Sequence, residues 1–142
     1  MEELHVGTMG WSYDFWKGNF YPEGSKNLLP EYAKNFDMVE IDNTFYRIPS
    51  RDTVMNWKEE TPDDFIFSAK FPRKITHIKM LKDCEEELEV FIEHMSLMGN
   101  KLGPMLIQLQ KRVQRGKKAP AFSRGDELPL CIDNNTFSPL GS

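Results

Sequence analysis

Residues 38–49, M-V-E-I-D-N-T-F-Y-R-I-P, read as a buried strand that runs straight into a polar, aromatic loop. Val39 and Ile41 alternate with Glu40 and Asp42. Strand side chains alternate with period two, so the two apolar residues face one way and the two carboxylates the other. Removing a carboxylate from water is costly unless it is paired or hydrogen-bonded. Glu40 therefore needs a partner or a task.

Outward from this strand the chain alternates between helix and strand signals. On its N-terminal side, Leu28, Leu29, Tyr32, Ala33 and Phe36 form an i, i+3, i+4 stripe that predicts a helix over 27–36, with Pro30 tolerated in the first turn. Residues 4–8, L-H-V-G-T, predict a short first strand, and Gly7 and Gly10 mark a tight turn at its end. Six of the chain's 17 aromatic residues (Trp11, Tyr13, Phe15, Trp16, Phe20 and Tyr21) follow within residues 11–21. A stretch this aromatic is either a plug over the core or the wall of a ligand pocket. Trp11, beside the glycines, is its pocket candidate.

On the C-terminal side, Ser50 is a good N-cap for a helix over 51–60 that buries Val54 and Trp57. Residues 65–69, F-I-F-S-A, predict a third strand that delivers Lys70 at its end. Asp83, with Glu86 three residues later, predicts the start of a helix whose inner stripe is Leu88, Phe91, Ile92 and Met95 and which stops at Gly99. Gly103-Pro104 then introduces a fourth apolar strand over 105–109. Four strands alternating with three helices predict an α/β protein built of parallel β/α units.

The composition, 39% hydrophobic and 28% charged, is that of a soluble domain. No apolar run approaches the ~18 residues of a membrane helix. The acidic start, Met1-Glu2-Glu3, lacks the basic and then apolar pattern of a secretory signal, and Cys84 and Cys131 match no metal or redox spacing. A cytoplasmic protein with reduced thiols and no membrane partner is expected. Residues 1–109 carry 12 Lys/Arg against 19 Asp/Glu, whereas residues 110–142 carry 6 against 3. The second stretch has no helical stripe and predicts a poorly ordered basic tail with one short strand at most, near Leu128 to Ile132. Six positive charges without interleaved aromatics are a weak basis for binding nucleic acid.

Several motifs, G-T-M-G-W-S-Y at 7–13, Y-P-E-G at 21–24, V-E-I-D-N-T-F-Y-R-I-P at 39–49, F-S-A-K-F-P at 67–72, I-T-H at 75–77 and K-L-G-P-M-L-I-Q-L at 101–109, together resemble the YecE-like family, domain of unknown function 72. The resemblance covers residues 4–109 and implies a TIM-barrel-type fold of unestablished activity. It departs at Met9, where the family usually has Ser, at Asp42, where it has Asn, and at Gln110-Lys111, where it has a Pro-Pro pair. A complete barrel takes about 250 residues. The expectation is thus a partial barrel of about four β/α units, 1–109, followed by a divergent tail. Such a half would be a truncated or frame-shifted product, or would close against a copy of itself or a separate C-terminal half.

In barrels of this kind the loops after the strands build the site. That rule assembles Thr8, Trp11, Asn43, Tyr46, Arg47 and Gln108 as ligand-binding candidates, and Glu40, Lys70 and His77 as catalytic candidates. Glu40 and Lys70, on neighbouring strands, form either a structural salt bridge or a catalytic pair. His77 suits acid, base or ligand roles, and Arg47 is either a phosphate or carboxylate clamp or a surface arginine. A small polar or anionic molecule is the expected ligand. No motif identifies a cofactor, and a metal held by Glu40 or Asp42 with His77 lacks any ligand-like spacing.

Overall fold

The computed structural model describes residues 3–109, 130–133 and 136–139. Strands β1 (Gly7–Met9), β2 (Met38–Ile41), β3 (Ile66–Lys70) and β4 (Leu102–Leu106) lie side by side in chain order, each parallel to the next. Helices α1 (Leu28–Ala33), α2 (Arg51–Glu59) and α3 (Glu85–Ser96) occupy the three crossovers. The protein is an α/β fold with a four-stranded parallel sheet, as the alternation of patterns predicts.

Alternation within each strand separates two faces. Val39 and Ile41 of β2, Phe67 and Ala69 of β3 and Met105 of β4 are buried together with Leu29 and Tyr32 of α1, Val54 of α2 and Leu88, Phe91 and Met95 of α3. Burying a side chain of this size stabilises by roughly 1.5–3 kcal/mol. The opposite face carries Met9, Glu40, Ser68, Lys70 and Leu106, all at least partly exposed. Both carboxylates of the central strand segment point away from the helices, as period two requires.

β1 approaches β2 unusually closely. A Cβ on Gly7 would stand 1.9 Å from the Met38 carbonyl oxygen, so only glycine fits. The Tyr32 hydroxyl, buried under the sheet, accepts from the Thr8 backbone N–H at 2.8 Å and donates to the Met38 carbonyl at 2.9 Å, joining the two strands through α1. At the far end of α2, the buried Lys101 ammonium donates to the Lys58 carbonyl at 2.5 Å and the Thr61 carbonyl at 2.7 Å, satisfying acceptors that a helix C-terminus leaves open.

Several boundaries differ from expectation. α1 is shorter than residues 27–36 because the chain turns after Ala33, with Asn35 and Phe36 N–H both bonding the Tyr32 carbonyl. β4 begins at Leu102 and takes Gly103-Pro104 into the strand. α3 is not capped by Asp83: Asp83 has φ +47° and is exposed, and Cys84 occupies the N-cap without a side-chain bond. Between β3 and α3 lies a π-helical turn, Lys74–Ile78, that no apolar periodicity announces.

Two strands lie in the tail where one at most was expected. β5 (Leu130–Asp133) pairs antiparallel with β6 (Thr136–Pro139), and β6 runs antiparallel beside β4. The remainder of the expected poorly ordered tail, including Lys111, Arg112, Arg115, Lys117, Lys118 and Arg124, lies outside the described residues. Among the described residues no helix is long and apolar enough to cross a membrane.

Candidate functional site

The C-terminal ends of β2 and β3 bring three charged groups together. Lys70, the last residue of β3, donates to Asp42 Oδ1 at 3.0 Å and stands 3.9 Å from Glu40 Oε1. Its side chain is only 17% exposed, against 29% for Glu40 and 40% for Asp42. The expected pairing of Glu40 with Lys70 is present, but Asp42 is the nearer partner. Asp42 follows β2 on the same face and sits closer to the level of Lys70. The Met9 sulfur, 3.5 Å from the ammonium, fills the remaining side.

Thr44 fixes this corner. Fully buried in the 3-10 turn Asn43–Phe45, its hydroxyl lies 2.8 Å from the Lys70 carbonyl and 3.0 Å from the Ile41 carbonyl, tying the ends of the two strands to each other. Its place after β2 puts Thr44 among the polar residues at the strand ends, but nothing in N-T-F signals that it ties two strands together.

His77 stands on the π-helical turn that follows β3, a conformation often found at functional sites. Its Nδ1 shares a 2.7 Å hydrogen bond with the hydroxyl of buried Thr76, and its ring meets Phe45 edge-on at 5.1 Å. Among the described residues no hydrogen bond or ion pair joins it to Glu40, Asp42 or Lys70. Behind the turn, Glu87 of α3 holds Lys74 at 2.8 Å and Lys79 at 2.7 Å. These two ammonium groups pull its carboxyl down to about 2. Met80, Leu81 and Asp83 then follow with φ of +50°, +62° and +47°. Left-handed backbone at non-glycine residues costs energy and persists only where its surroundings enforce it.

The ligand-binding candidates separate. The Thr8 backbone N–H and hydroxyl are both taken up, bonding Tyr32 and the Gly10 carbonyl, so Thr8 braces β1. Trp11 stands edge-on against Trp57 at 5.6 Å and belongs with the aromatic plug that buries Tyr21 and packs Trp16 and Phe20 on the core. Tyr46 is 69% exposed, with its ring against Phe45 at 5.2 Å. Gln108 is exposed just beyond β4. Asn43 and Arg47 instead line a cleft of about 570 Å³ formed with Ile48, Ser50 and Thr53, Trp57 of α2 and Val90 and His94 of α3. Neither Lys70 nor His77 reaches that cleft. Among the described residues no group of three or more His, Cys, Asp or Glu is placed to hold a metal ion.

The sequence as a whole matches the family model "Protein of unknown function DUF72" over residues 5–132. The chain belongs to the YecE-like DUF72 family. Likeness to DUF72 therefore continues past Leu109, where the recognisable motifs end. The UPF0759 protein YecE of Escherichia coli K12 is 33% identical over 106 residues, which are 75% of this chain and 37% of YecE. The UPF0759 protein YunF of Bacillus subtilis is 28% identical over 154 aligned positions, 96% of this chain and 53% of YunF. Among solved structures, a DUF72 family protein from Thermotoga maritima is similar with a TM-score of 0.62 and 34% identity, covering 75% of this chain and 44% of that one. A DUF72 protein from Enterococcus faecalis gives a TM-score of 0.56 at 28% identity, covering 72% and 38%. The chain spans little more than a third of the length of YecE.

Proposed function

We propose that the rim where β2 and β3 end is a small-molecule site, with Lys70, Asp42 and Glu40 as its polar centre. The observation that carries this reading is a lysine whose side chain is only 17% exposed, held at a strand end by two carboxylates on the face turned away from the helices. One cation and two anions provide donors and acceptors side by side, which suits a hydroxyl-bearing polar ligand better than a strong anion that would compete with Asp42 for Lys70. Tyr46, exposed above the rim, offers a stacking surface. His77, on the turn that follows β3, has no partner at Nε2 among the described residues and is the group placed to give or take a proton.

The test is a ligand-observed NMR screen of sugars, polyols and small carboxylic acids against the whole chain and its Lys70→Met variant. Hydroxyl-bearing binders lost in the variant support the site. Absence of any binder, or binders that the variant retains, contradicts it.

A second reading concerns the open face. Strands laid down in chain order with right-handed crossovers place the helices on one side and curve the sheet around the other. The relatives are much longer than this chain. Both facts favour a partial TIM barrel that further β/α units from a separate C-terminal segment would extend at the free edge of β1, or at the edge of β4 by displacing β6. Co-expression with the C-terminal half of a relative should give a one-to-one complex by light scattering. A dimer of this chain alone, or a stable monomer that ignores the added half, contradicts that reading.

A further inference from the structure

We propose that the outer cleft between α2, α3 and the loop after β2 is a second binding site, for a small oxyanion, phosphate or carboxylate, carried on an apolar or aromatic body. It shares the Asn43–Thr44 turn with the strand-end rim, but its charged and apolar groups, Arg47, Trp57, Val90 and His94, are not part of that rim, and the proposal stands without it.

Charge is the first argument. The Arg47 guanidinium lines the cleft and makes no ion pair or hydrogen bond with any described residue, its backbone N–H alone bonding the Asn43 carbonyl, and the lining contains no Asp or Glu. That is unexpected in a region where acids outnumber bases 19 to 12. Glu93, which precedes His94 on α3, is engaged by Arg51 of α2. An unpaired guanidinium in a concave, acid-free setting is a fork for an oxyanion.

The second argument is the placement of His94. Its Nδ1 donates to the Pro49 carbonyl at 2.7 Å, which fixes the ring and leaves Nε2 to accept from the P–OH or carboxyl O–H of a protonated ligand, or to donate to an oxyanion when the ring carries its second proton. The Asn43 amide adds a neutral donor on the loop side.

Shape is the third. Trp57, Ile48 and Val90 supply apolar wall, and Trp11 supports Trp57 from behind at 5.6 Å. A volume of about 570 Å³ lies within the usual range for small-molecule pockets. Polar groups at one side and an indole at the other match a ligand with a charged head and a flat or apolar body.

The experiment follows the nitrogen–proton NMR spectra of the full chain during titration with phenyl phosphate, inorganic phosphate and phenol. Phenyl phosphate should give saturable shifts at the Trp57 indole N–H, the Arg47 guanidinium and the His94 ring. Phenol should give none, and inorganic phosphate should bind more weakly. Arg47→Met, at an exposed side chain without partners, should lower affinity for phenyl phosphate at least about tenfold, the loss expected for a charge-assisted hydrogen bond. Lys17→Met, which removes an equal charge from a surface pair with Asp14, should bind as the natural chain does. Three results overturn the proposal: no saturable shift at the cleft, an Arg47→Met affinity equal to that of the natural chain, or equal losses in Arg47→Met and Lys17→Met.

Discussion

Lys70 shows how one side chain ties sequence to site. Removing its ammonium leaves Glu40 and Asp42 on one face with their shared cation gone. Replacement by Met should therefore destabilise the protein by about 1–2 kcal/mol, less than a fully buried pair would lose because both acids retain water. Chemical denaturation of Lys70→Met, Asp42→Asn and the double variant checks this. The Lys70→Met loss should shrink in the Asp42→Asn background, and fully additive losses would show that the pair carries no coupling. The period-two pattern of residues 38–42 made the face of the two acids legible, and the F-S-A-K strand made the lysine legible. Which acid lies nearer was not, because it depends on the register between β2 and β3, a non-local quantity. Trp57 and His94 were hidden for a related reason: one reads as core and the other as surface until α2 and α3 pack together.

At the scale of elements, the strands and helices were legible because their apolar spacing repeats, whereas the segment between β3 and α3 has no repeat to read. Glu87 braces its π-helical turn from α3, gathering Lys74 at the start of the turn and Lys79 just after it. The Glu87 carboxyl is depressed in the folded protein from the ordinary 4.5 to about 2. Its contribution to stability is therefore complete above the unfolded value and is lost as pH falls from about 4.5 toward about 2. Glu87→Gln should flatten the acid side of the stability–pH curve in that window. An unchanged acid limb in thermal melts would remove Glu87 from its assigned role. In α2, the Ser50 hydroxyl accepts the Thr53 N–H at 3.2 Å. Ser50→Ala should cost about 1 kcal/mol by denaturant titration, and Phe67→Ala, which empties a fully buried site on β3, about 3–5 kcal/mol.

On the scale of the molecule, the parallel strands in chain order separate a helix-covered face from one that carries Met9, Glu40, Ser68, Lys70 and Leu106. Helices pack the first face as a core, and the second face bears the charged rim on which the proposed function rests. The most direct test is a backbone amide shift map of the full chain, recorded with the tightest-binding sugar or polyol of the ligand screen. Saturable shifts centred on residues 40–42 and 68–71 are expected. Shifts centred elsewhere, or no saturable shift with any member of the screen, would contradict the proposed function.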